Sequence, residues 1–186
     1  MSHSRLFFAL PCPADQTRLI TQWREQHLAD TCSALTRTSA PSWIPKANFH
    51  ITLIFLGQVA HEQQVELINA ANQLSLPAFD LELTHCGNWP RSGILWLAPK
   101  RTPEPLQQLV TELKQMVAPI DVLQDTRNYH PHLTLARHAN TPMETIKLEQ
   151  PFTLQARAFG LYRSVDTPAG IEYHALKRWR LKTGAA

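Results

Sequence analysis

The sequence predicts an α+β fold, and three observations lead there. Short apolar, β-branched runs are mixed with three stretches of helical periodicity, yet they never settle into a strict strand–helix–strand series. Fourteen prolines in 186 residues punctuate the chain with turns, which argues against a helical bundle. One pattern, His-x-Thr-x, occurs twice in strand-like surroundings: His50-Ile51-Thr52-Leu53 and His132-Leu133-Thr134-Leu135, 82 positions apart.

Arg5 to Leu10 reads as the opening strand. A helix follows from Pro13 to about Asp30, with Pro13 close to its start and Leu19, Ile20, Trp23 and Leu28 near helical spacing. Thr31 to Pro45, rich in Ser, Thr and Pro, reads as a loop. The first motif strand, Phe49 to Leu56, ends at Gly57. Val59 to Leu74 is a second helix, with Val65, Ile68 and Ala71 or Asn72 on one side.

Phe79 to Thr84 alternates apolar and polar residues as a half-buried strand does. Asn88 to Gly93 makes a turn, and Ile94 to Leu97 is a strand that Pro99 closes. Leu106, Leu109, Val110, Leu113 and Val117 define a third helix over Glu104 to Val117. The second motif strand spans His130 to Ala136. Phe152 to Ser164 and Ile171 to Leu181 read as a long terminal hairpin around Asp166 to Gly170. Each motif strand follows a strand–helix segment and precedes further strands. The expectation is a single bilobal domain over residues 1–186, its two lobes of antiparallel sheet and helices related by a pseudo-twofold.

Bulk properties narrow the partners. The 44% apolar content supports a substantial core. A formal charge of +3 allows an anionic ligand but lacks the basic stripe of a protein that coats long nucleic acid. Cys12, Cys32 and Cys86 form no C-x-x-C, so reduced thiols in a cytoplasmic protein are expected. The apolar run Leu6 to Leu10 is too short for a signal peptide or a membrane span. Nothing argues for an obligate partner, and a monomer is expected.

The paired motifs carry the chemistry. Residues i and i+2 of a strand share a face, so His50 with Thr52, and His132 with Thr134, point one way while Ile51, Leu53, Leu133 and Leu135 point into the core. Phosphoryl displacement places attacking and leaving oxygens in line through phosphorus, which requires a base and an acid on opposite sides. Two histidines facing each other across a cleft satisfy this, because imidazole populates both protonation forms near neutrality. The Thr52 and Thr134 hydroxyls can donate to non-bridging oxygens and stabilise their developing charge. Arg137 lies five residues after His132, so an ideal strand turns it to the opposite face. It reaches the phosphate only if the strand bends or ends near Ala136.

Blander readings compete. A lone His-x-Thr-x arises often by chance, and a lone strand histidine is more often structural; two copies in matching contexts shift that balance. His130 and His132 could ligate zinc, but no cysteine or carboxylate lies beside either motif and His50 would have to be the third ligand, so no metal is expected. His130 more simply orders the approach to the strand. Lys177-Arg178-Trp179-Arg180-Leu181-Lys182 could contact RNA phosphates, although a solvated strand with Trp179 packed inward is the commoner case. Trp43, Phe49, Phe55, Trp89 and Trp96 are mostly core candidates, with one or two available to stack on a base. Two other classes stay in view: an RNA-end-binding module with vestigial chemistry, and a zinc-binding structural protein.

Ser42-Trp43-Ile44-Pro45 with Asn48 to Gly57 resembles the first signature of the 2H phosphoesterases, and Tyr129 to Arg137 resembles the second. Arg5 to Leu10, Asn88 to Leu97 and Tyr173 to Leu181 are also similar to the bacterial RNA 2′,3′-cyclic phosphodiesterase (2′-5′ RNA ligase) family. The resemblance implies a bilobal 2H phosphoesterase fold around a central cleft, with no metal or other cofactor. It implies hydrolysis of a 2′,3′-cyclic phosphate at an RNA 3′ end to a 2′-phosphomonoester. His50 matches the proton donor to the leaving 3′ oxygen and His132 the proton acceptor from water, although a pseudo-twofold site could exchange these labels. Thr52 and Thr134 match phosphate-binding threonines, and Phe55 and Arg137 match positions of substrate contact. The implied partner is RNA with such an end, tRNA fragments included; within the enzyme class a small cyclic nucleotide such as ADP-ribose 1″,2″-cyclic phosphate is the main competing substrate. The same acid–base pair would also join a 2′,3′-cyclic end to a 5′-hydroxyl without ATP.

Overall fold

In chain order the elements are β1 (His3–Pro11), α1 (Ala14–His27), β2 (Ser42–Trp43), β3 (His50–Ala60), α2 (His61–Ala71), β4 (Phe79–Trp89), β5 (Ile94–Ala98), α3 (Glu104–Val117), β6 (Leu133–Arg137), β7 (Ile146–Ala156), β8 (Ala158–Thr167) and β9 (Gly170–Arg180). The structure, a computed structural model, describes residues 3–28, 42–122, 128–168 and 170–183. Among these, the strands pair in the order β7-β4-β5-β6-β3-β1-β8-β9, with β2 added on β6. All these strand pairings are antiparallel.

The order divides into two halves, β6-β5-β4-β7 and β3-β1-β8-β9. In each, a strand leads through a helix to its motif strand: β1 through α1 to β3, and β5 through α3 to β6. The halves meet where Ile51 pairs with Leu133. The helices knit them further, since α1 lies against β7 and α3 against β3. Trp23 of α1 meets Phe152 of β7 edge-on, with ring centroids 6.0 Å apart.

Several expectations hold in detail. The third helix begins and ends as its spacing predicts, and its five named apolar residues are all buried. Each such side chain taken from water contributes roughly 1.5–3 kcal/mol. β1 is buried on both faces, as a central strand should be. Leu6, Phe8 and Leu10 join the main core, while Phe7 and Ala9 form a small cluster with Tyr162 on the opposite face.

Other expectations need correction. Phe152 to Ser164 is not one strand of a hairpin: it breaks at Arg157 into the end of β7, paired with β4, and β8, paired with β1. The terminal hairpin is β8–β9 alone. The first motif strand runs past Gly57 to Ala60, because Gly57 adopts φ 67° where β3 bulges against β1. Asn88 and Trp89 belong to β4, and the turn follows them.

The second helix starts later than predicted. The Gln63 side chain accepts from the Ala60 N–H at 2.8 Å and caps it, so Val59 is a buried strand residue. That helix buries Leu67 and Ala71, leaving Val65 exposed; Leu19 of α1 is exposed as well. Most of the expected loop from Thr31 to Pro45 lies outside the described residues, but Ser42–Trp43 is a short strand on β6. Among the described residues no helix is long and apolar enough to cross a membrane.

Candidate active site

The motif strands position their side chains by the same irregularity. Against β1, Thr52 pairs with Ala9 and Ile54 with Phe8, so Leu53 is an extra residue. Against β5, Thr134 pairs with Trp96 and Ala136 with Leu95, so Leu135 is extra. Each bulge breaks the two-residue alternation. Two successive residues, Leu53 and Ile54 or Leu135 and Ala136, are then buried, and the third residue after each threonine returns to the threonine's side. Those residues are Phe55 and Arg137. The bend that Arg137 requires is therefore present, and it has a counterpart at Phe55.

His50, Thr52, Phe55, His132, Thr134 and Arg137 line one cavity of about 580 Å³ between the halves. The antiparallel pairing of Ile51 with Leu133 sets His50 on the same side of that pair as Thr134, and Thr52 on the same side as His132. The second motif differs from expectation in its backbone: β6 begins at Leu133, so His132 sits just ahead of the strand. Pro131, which has no N–H to give a ladder, accounts for the late start.

Both imidazoles are fixed by the carbonyl two residues earlier. His50 Nδ1 lies 2.7 Å from the Asn48 oxygen, and His132 Nδ1 lies 2.7 Å from the His130 oxygen. A carbonyl only accepts, so Nδ1 carries the proton in each case and Nε2 is the nitrogen available for proton transfer. His50 Nε2 is 3.0 Å from Thr52 Oγ1. Aromatic rings hold the imidazole planes: Phe7 and Tyr173 against His50, with centroids 5.1 and 5.0 Å away, and Trp89 edge-on to His132 at 4.6 Å.

Burial pushes the His50 pKa down to about 4, against the favourable Asn48 carbonyl, and the charges of His132 and Arg137 lower it further. A pKa of about 4 leaves His50 neutral at pH 7, and an anion in the cleft would favour its protonated form. Tyr129 donates to the Thr52 carbonyl at 3.2 Å, and burial raises its phenol well above the usual range, so it remains a donor. Asn48, itself buried, donates to the Ile171 carbonyl at 2.6 Å and ties the first motif to β9.

Sequence reasoning missed Asn48, Tyr129 and Tyr173 as supporting residues, and Lys114 and Ser92 as lining. The shared position two residues before each histidine was a signal in plain view. It works through the backbone, so the unlike side chains Asn48 and His130 concealed it. The expectation for Trp179 is borne out, since it packs inward with Nε1 donating to Asn72 Oδ1 at 2.9 Å. Phe49 and Trp96 are buried, whereas Phe55 is 45% exposed at the cleft. Among the described residues no group of three or more His, Cys, Asp or Glu side chains is placed to hold a metal ion.

Two lobes that present paired His-x-Thr motifs to one cleft make this a 2H phosphoesterase fold. The chain belongs to the 2′-5′ RNA ligase superfamily, whose family model matches residues 11–168. It is 33% identical to the RNA 2′,3′-cyclic phosphodiesterase of Escherichia coli over 95% of this chain and 96% of that protein. It is 26% identical to the RNA 2′,3′-cyclic phosphodiesterase of Methanocaldococcus jannaschii over 94% and 99% of the two chains. The crystal structure of E. coli LigT complexed with 3′-AMP superimposes with a TM-score of 0.87 at 31% identity, covering 98% of this chain and all of that one.

Proposed function

We propose that the protein hydrolyses 2′,3′-cyclic phosphates at RNA 3′ ends to 2′-phosphomonoesters by acid–base catalysis between two histidines. The observation that carries this is the matched placement of His50-Thr52 and His132-Thr134 on one cleft, each imidazole held at Nδ1 by a carbonyl. The relatives from E. coli and M. jannaschii, both RNA 2′,3′-cyclic phosphodiesterases, support the substrate class. The 3′-AMP bound to E. coli LigT supports a nucleotide-sized ligand.

In this mechanism water attacks phosphorus opposite the 3′ oxygen. His132 Nε2 takes the water proton as the new P–O bond forms, the P–O3′ bond breaks, and His50 Nε2 gives its proton to O3′. Solvent returns both imidazoles to their starting forms. Thr52 and Thr134 hydroxyls, with the Arg137 guanidinium, hold the non-bridging oxygens. The phosphate's own negative charge loads His50 with its proton, and the low pKa of His50 then makes it a ready donor. Phe55, exposed at the cleft, offers a ring face to the terminal base. A 5′-hydroxyl in place of water would give a 2′-5′ linkage by the same steps, without ATP.

Both motifs lie on one chain, so a monomer suffices, and the free thiol of Cys12 suits the cytoplasm. The test is turnover of a short RNA ending in 2′,3′-cyclic phosphate with EDTA present, beside the same RNA ending in a 3′-phosphate. Hydrolysis of the cyclic end alone is expected. Binding without turnover would favour an RNA-end-binding module, and activity restored only by zinc would overturn the metal-free mechanism.

A further inference from the structure

A second groove, of about 620 Å³, adjoins the cleft and shares His50, Asn48 and Tyr173 with it. Three separate elements each give it one cation: Arg18 from α1, Lys46 from the turn before β3, and Arg178 from β9. Among the described residues that line it none is acidic. No ion pair joins these three cations to a carboxylate among the described residues. Tyr162 lines its wall with its hydroxyl beside the Arg178 guanidinium, which offsets part of the burial that raises the phenol. Phe7 and Phe49 also line it. Positive charge with some aromatic lining suits a single-stranded polyanion carrying bases.

We propose that this groove holds the RNA backbone on the 5′ side of the cyclic phosphate, so that Arg18, Lys46 and Arg178 make the protein prefer an RNA chain to a cyclic mononucleotide. The inference rests on the function proposed above. A 2′,3′-cyclic phosphate closes the 3′ end of its chain, so every other phosphate lies on one side of the reacting ribose and must leave the cleft by one route. The groove that shares the His50 wall is that route. It also narrows the basic segment of Lys177 to Lys182 to one functional position. Arg178 lines the groove, while Trp179 packs into the core with Lys177 over its ring, 5.8 Å from the centroid.

The test compares the unaltered protein with Arg18→Gln, Lys46→Gln, Arg178→Gln and the triple variant, using two readouts. One is kcat/KM for 2′,3′-cyclic CMP and for a hexanucleotide ending in 2′,3′-cyclic phosphate. The other is fluorescence-anisotropy binding of a labelled hexanucleotide ending in 2′-phosphate, across a salt series. Each single variant is expected to weaken hexanucleotide binding severalfold and to make the slope of log affinity against log salt shallower by about 0.7. Turnover of cyclic CMP should stay within about twofold, which also shows that the variants fold. Unchanged binding and slope in the triple variant would overturn the groove assignment, as would equal losses on both substrates. Failure of the unaltered protein to turn over either substrate would overturn the proposed function instead, while the binding series still decides whether the groove holds RNA.

Discussion

Ile51 stands opposite Leu133 in the one residue pair that joins β3 to β6 among the described residues, and the motif histidines and threonines are arranged about that pair. Both side chains are fully buried. Their neighbours on either side, His50 and Thr52 or His132 and Thr134, take the opposite face and line the cleft. This apolar pair between the halves thus brings two imidazoles and two hydroxyls to one cleft.

His50→Ala and His132→Ala should each lower turnover of a cyclic-phosphate RNA by roughly 10²–10⁴-fold, the contribution expected of a general acid or base. Circular dichroism should show the fold unchanged. Full activity in both variants would remove the histidines from the mechanism.

The paired bulges make Arg137 and Phe55 counterparts, and the proposed function assigns one to the phosphate and the other to the base. Arg137→Gln should reduce kcat/KM on cyclic mononucleotides and RNA alike by about 10²-fold, as loss of a donor to developing charge does. Phe55→Ala should act mainly on KM, because stacking binds ground and transition states equally. Steady-state kinetics on both variants would separate the two roles.

Titration of His50, followed by NMR of its ring protons, should give a pKa of about 4 in the free protein. Phosphate or a 2′-nucleotide should raise it. Arg137→Gln should also raise it, though not to the ordinary value of about 6.5, because burial is the larger cause. The sign for stability follows. Between about pH 6.5 and 4 the unfolded chain binds a proton at His50 that the folded protein does not, so this residue destabilises the fold progressively as pH falls through that window. Denaturant titrations should show a shallower loss of stability over the window in His50→Gln.

Tyr129 and Asn48 act through position. Tyr129→Phe removes one hydrogen bond to the Thr52 carbonyl and should cost about 0.5–1.5 kcal/mol in urea unfolding. Asn48→Ala keeps the carbonyl that fixes His50 but loses the bond to Ile171. It should lower kcat through the displacement of Tyr173 from the imidazole, with a pH profile of unchanged shape.

Much of this architecture was legible in the sequence because it follows from simple periodicities. Leu106 to Val117 repeat at helical spacing, and the helix is found as read. His50 with Thr52 and His132 with Thr134 obey the strand alternation. What escaped notice depends on departures from that alternation. Nothing in Leu53-Ile54 or Leu135-Ala136 marks a bulge, because either residue of each pair is content in the core, and only pairing with β1 or β5 decides which is extra. Arg157 similarly divides an unbroken apolar-polar run, since β7 and β8 belong to different halves and the partner strands choose the break. Tyr173 reaches His50 from β9, a long-range contact that local pattern cannot reveal.

The central claim is direct displacement at phosphorus by water between His50 and His132. Its most direct test is hydrolysis of a 2′,3′-cyclic-phosphate RNA in ¹⁸O-water with EDTA, followed by phosphorus NMR. The account predicts a 2′-monoester carrying one ¹⁸O, formed at least about a hundredfold more slowly by His50→Ala and by His132→Ala. A 3′-monoester, or equal rates in the protein and both variants, would contradict it.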